Sequence, residues 1–111
     1  MSDADDLAAE LAALTAEYRQ KLAARLDALE ALAEQRSPGQ QGAALVEDLY
    51  RALHTIAGSA KTFGLPAVSD AARAGERYLE PICGANEPLS AAQWDDLKVL
   101  LASLRKAAGS A

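Results

Sequence analysis

The sequence predicts an all-α protein: an antiparallel up-down four-helix bundle with an extended or broken N-terminal helix. Three observations carry this. Ala and Leu dominate a chain that is 50% hydrophobic but only 5% aromatic, with Glu, Asp, Lys and Arg between them, which is a helix-forming mixture. Strands would ask for more Val, Ile and Thr. Apolar residues recur at helical spacing in four segments, and Pro- or Gly-containing breaks separate those segments.

The first segment holds no Pro or Gly from Asp3 to Arg36. Leu7, Leu11, Leu14, Tyr18, Leu22, Leu26, Leu29 and Leu32 recur at spacings of three and four, forming one apolar face. Ser2 or Asp3 caps its start, and Ser37-Pro38-Gly39 stops it. Unbroken, it would be about 50 Å long against about 30 Å for the others. It therefore overhangs the bundle, breaks near Thr15, or pairs with another copy. The second helix is expected from about Gly42 to Phe63, with Leu45, Leu49, Leu53, Ile56, Ala60 and Phe63 inside and Gly64 as its stop.

Pro66 suits the first turn of a third helix, whose inner face reads Val68, Ala71, Ala72, Gly75 and Leu79, with Ile82 at its end. Pro81 and Gly84 end it. Ser90-Ala91-Ala92-Gln93 has the form of a capping box for the last helix, with Trp94, Leu97, Leu101 and Leu104 on one side. One domain over 1–111 is expected, with 1–2 and 108–111 frayed.

Charge and composition exclude several function classes. A net charge of -5 argues against a general nucleic-acid binder, which needs a basic footprint. No apolar run approaches the roughly 20 residues that span a bilayer, and the acidic N-terminus is unlike a signal peptide. The expectation is a cytoplasmic, free-standing protein with no membrane partner. The lone Cys83 permits no internal disulfide and reads as a small apolar residue near a helix end. One His and one Cys cannot build a closed zinc site, and no base can be argued beside Ser59 or Cys83. No metal, no cofactor and no self-sufficient enzyme are expected.

The chemistry concentrates in Leu53-His54-Thr55-Ile56-Ala57-Gly58-Ser59-Ala60-Lys61-Thr62-Phe63-Gly64. On a helix whose buried stripe centres on Leu49, Leu53, Ile56, Ala60 and Phe63 fall within about 40° of that centre. His54 falls about 140° away, Gly58 about 180° and Lys61 about 120°. The single histidine thus lies on the solvent side, one turn from a glycine and two turns from a lysine. A neutral imidazole there offers a nucleophilic ring nitrogen near neutral pH. Gly58 leaves room for a partner's approach, and Lys61 can offset added negative charge. The same face carries Glu47, Tyr50 and Arg51, and Tyr50 and Ala57 at its shoulder are the expected apolar centre of a docking surface.

His54-Thr55-Ile56-Ala57-Gly58-Ser59-Ala60 followed by Phe63-Gly64-Leu65 resembles the signature of histidine-containing phosphotransfer (HPt) domains. The resemblance continues into Ala71-Ala72-Arg73 and Glu76, and covers about Leu49 to Leu79. It implies reversible phosphorylation of His54 on Nε2, an upstream histidine kinase, and response-regulator receiver domains that bring the acceptor aspartate and magnesium. The chain would then be a phosphocarrier without its own nucleotide site. It departs from the family at Ala57, where many members carry Lys or Arg before the first glycine, and Lys61 is the expected substitute. Two other readings stand beside this one: a docking module of the same fold that no longer carries phosphate, and the phosphate-accepting piece of a larger sensor kinase. The long first helix also leaves self-association open.

Overall fold

The computed structural model describes residues 3–35 and 39–110. Among them are four helices: α1 (Asp3–Ala33), α2 (Gly39–Thr62), α3 (Pro66–Gly84) and α4 (Ala91–Ser110). They pack as an all-α four-helix bundle around Leu29, Leu49, Leu53, Ile56, Leu79, Leu97 and Leu104, all fully buried. The expected cap at Ser2 and the stop at Ser37-Pro38 lie outside the described residues. Gly39, read as part of that stop, opens α2 instead.

Of the three fates open to α1, a break near Thr15 is excluded, because the helix runs without interruption. It overhangs. Tyr18, Leu22, Leu26 and Leu29 are buried, whereas Leu7, Leu11 and Leu14 remain 56%, 55% and 51% exposed. The apolar face read as continuous is therefore core only from Tyr18 onward. The molecule is 60 Å long and about 20 Å across, and α2 is too short to cover the first turns of α1. Tyr18 marks the edge: its ring stacks on Phe63 at 4.3 Å, and its hydroxyl lies 2.7 Å from Ser59 Oγ.

The helix ends follow local chemistry. Gly64 takes φ +74°, a conformation that costs glycine little. Leu65 N–H then donates to the Ala60 carbonyl and Gly64 N–H to the Lys61 carbonyl, the paired bonds of a Schellman stop. Pro66 opens α3 immediately afterwards, so α2 and α3 form a tight antiparallel pair. Of the two residues expected to end α3, Pro81 lies inside the helix and Gly84 is its last residue. Asn86 at φ 56° provides the second stop, with Asn86 N–H on the Cys83 carbonyl and Glu87 N–H on the Ile82 carbonyl.

Ser90 and Gln93 bond reciprocally at 3.2 and 2.9 Å, the capping box read from the sequence. α4 continues to Ser110, beyond residue 108, where the frayed tail was placed. It is tied to α1 by Arg105, which bonds Asp27 and Glu30; these bonds hold the guanidinium above its ordinary pKa.

Candidate functional site

Two contacts set the register of α3 on α2. Ser69, buried, donates to the Ala57 carbonyl at 2.7 Å. Further from the turn, Glu76 Oε1 meets His54 Nδ1 at 2.7 Å. Between them Gly75 lets the helices close, since a Cβ there would stand 3.0 Å from Leu53 Cδ1. His54 and Glu76 lie equally far before and after Leu65, as antiparallel helices joined at that point require.

The His54 side chain is 71% exposed and that of Glu76 only 12%. The carboxylate thus forms a nearly buried floor under an exposed ring. With an acceptor at Nδ1, the neutral imidazole carries its proton there and keeps a lone pair on Nε2. Glu76 Oε2 is buried without a hydrogen-bond partner. An orphaned acceptor costs about 1–3 kcal/mol, an expense met at functional sites more readily than elsewhere. Tyr50, one turn before His54, holds its ring nearly parallel to the imidazole, with centroids 6.4 Å apart. Loss of hydration, then the charges of Glu80 and Glu76, raise its phenol above the ordinary tyrosine pKa.

Gly58 is exposed, and a Cβ built on it would meet nothing within 4 Å. Lys61 is exposed in the last turn of α2. Glu47 and Arg51 are exposed and paired with each other. Ala57 contradicts its expected place on the docking surface: it is 1% exposed. At the shoulder of the stripe it falls on the side that α3 covers, with Ser69 against its carbonyl. The apolar component of this face is therefore Tyr50 without Ala57.

Glu76 was read only as part of an acidic pattern, not as the partner of His54. The signal that could have found it is the tight turn at Gly64–Pro66, which makes residues equidistant from it level. A concavity of about 640 Å³ lies elsewhere, between the end of α1 and α4 beside Trp94, Leu97 and Leu101. His54 stands on open surface, an arrangement that suits a macromolecular partner better than a small substrate. Among the described residues no helix is long and apolar enough to cross a membrane, and no group of three His, Cys, Asp or Glu could hold a metal.

A family model described as the Hpt domain matches residues 3–107. No curated protein and no solved structure matches the chain.

Proposed function

Because this chain belongs to the Hpt domain family, whose members are phosphocarrier modules of phosphorelays, we propose that His54 is its phosphoryl acceptor and exchanges the group with the receiver-domain aspartate of a response regulator. Hpt domains work with receiver domains and histidine kinases, and the upstream donor in this reading is a kinase or a phosphorylated receiver. The observation that carries the assignment is the Glu76 hydrogen bond to Nδ1 of an otherwise exposed ring.

The chemistry follows from that bond. Nε2 attacks the phosphorus of the receiver's acyl phosphate in line. The Nε2–P bond forms, the bond from phosphorus to the aspartate oxygen breaks, and its electron pair returns to the carboxylate. The imidazole gains positive charge, which the Nδ1–H bond to Glu76 spreads toward a negative partner. The reverse transfer retraces the same path. Positioning and charge stabilisation are most of what phosphoryl transfer asks of a protein, and the receiver brings much of both. Gly58 leaves space for its active site, while Glu47, Tyr50, Arg51 and Lys61 form the docking face around His54.

A phosphorylated receiver domain should label this protein with an acid-labile, base-stable bond. His54→Gln should abolish the label. Persistent labelling in that variant would sink the assignment, and equal receiver binding by both proteins without any label would mark a docking module. Self-association through α1 belongs to the same reading, supported by the exposed Leu7, Leu11 and Leu14. Their spacings of four and three give the repeat of a two-helix seam.

A further inference from the structure

We infer that Arg73 supplies the cation that meets a phosphoryl group on His54, taking the part of the basic residue that Ala57 lacks and in preference to Lys61. The inference rests on the phosphoryl-acceptor reading of His54 and adds a residue to that site.

The register of α3 on α2 places it there. Ser69 touches the Ala57 carbonyl and Glu76 touches the His54 ring. Ser69, Arg73 and Glu76 are spaced by four and three, so they lie in one row along α3. Ala57 and His54, three apart, are one turn of α2. Arg73 is therefore bracketed by the two contacts, level with the stretch from His54 to Ala57. Gly58, beside that stretch on α2, leaves the surface open to a long side chain from α3.

Arg73 is half-buried and makes no ion pair or hydrogen bond among the described residues, so its charge is uncommitted. Arg51 is already bound to Glu47. Lys61 lies seven residues along α2 from His54, about 10 Å of helix rise. A phosphoryl group brings close to two negative charges into a neighbourhood that already holds Glu76, and Glu80 one turn further along α3. A cation is needed there. A guanidinium offers two parallel N–H groups to phosphoryl oxygens, which an ammonium cannot.

The test uses the full chain phosphorylated with phosphoramidate, a small donor that needs no partner, and follows the phosphohistidine by ³¹P NMR through a pH titration. With Arg73 beside it, the phosphohistidine should lose its titrating proton at a lower pH. Arg73→Gln should raise that midpoint by about half a pH unit, Arg73→Lys should restore part of the shift, and Lys61→Ala should leave the wild-type value. A merely structural role for Arg73 would not move this midpoint, and circular dichroism confirms that each variant is folded. An unchanged midpoint in Arg73→Gln overturns the inference, as does an equal shift in Lys61→Ala. Absence of phosphohistidine in the wild type, or its survival in His54→Gln, overturns the His54 reading itself and this inference with it.

Discussion

Replacing Glu76 by leucine should separate stability from reactivity in this protein. Glu76 has one oxygen on His54 Nδ1 and the other buried without a partner. Removing the orphaned acceptor relieves about 1–3 kcal/mol. The lost hydrogen bond to His54 is charge-assisted, but the ring is 71% exposed, so water reduces its worth to about 1 kcal/mol. The balance is a stabilisation of about 0–2 kcal/mol. In a domain of this size each kcal/mol moves the melting temperature by about 4 °C, so Glu76→Leu should melt at the wild-type temperature or up to about 8 °C higher. Labelling from a phosphorylated receiver should nevertheless slow about fivefold, the rate equivalent of about 1 kcal/mol. Glu76→Gln, which keeps an acceptor but loses the charge, should fall between. Thermal unfolding by circular dichroism and initial labelling rates measure the two quantities. A melting temperature lowered by more than about 4 °C would show that Glu76 holds the fold together. An unchanged labelling rate would show that its bond to Nδ1 does not prepare the nucleophile.

Gly58→Ala should raise stability by up to about 1 kcal/mol, since its Cβ meets nothing, yet slow transfer from a receiver while leaving phosphoramidate labelling intact. Equal loss with both donors would refute the access argument. Gly75→Ala should do the opposite and destabilise by about 1 kcal/mol, because Leu53, itself buried, stands 3.0 Å from the new Cβ; a higher melting temperature would show that Leu53 has room to yield. Leu11→Glu should abolish any self-association seen by analytical ultracentrifugation at high protein concentration without lowering the melting temperature of the monomer, as Leu11 lies outside the core. Dimers that survive it would exclude the α1 stripe. Tyr50 should ionise above the usual tyrosine value of 10.0, and Glu80→Gln should bring it down, as followed by NMR. With the folded pKa raised, stability linked to this phenol is intact below 10.0 and declines as pH rises beyond it. A Tyr50 midpoint at or below 10.0 would refute that assignment.

The division between what the chain announces and what the fold adds runs through His54. Its exposure was legible because helical periodicity is a local property: the stripe through Leu49, Leu53 and Ile56 fixes where His54 and Gly58 point, whatever packs on the helix. The capping box at Ser90 and the stop at Gly64 are local for the same reason. The end of α3 at Gly84 was legible too, but not that Pro81 would stay within the helix or that Asn86 would take the positive φ beyond it. The burial of Ala57 and the reach of Glu76 were not legible, because both depend on the side of α2 that α3 occupies and on how closely Gly75 lets it approach. The same holds for α1, whose leucines repeat unchanged from Leu7 to Leu29 while burial begins only at Tyr18. By itself, then, the sequence determined four helices and a histidine facing water. Only the tertiary structure decided which carboxylate holds that histidine, because the pairing joins residues 22 apart that meet only when the two helices close on each other.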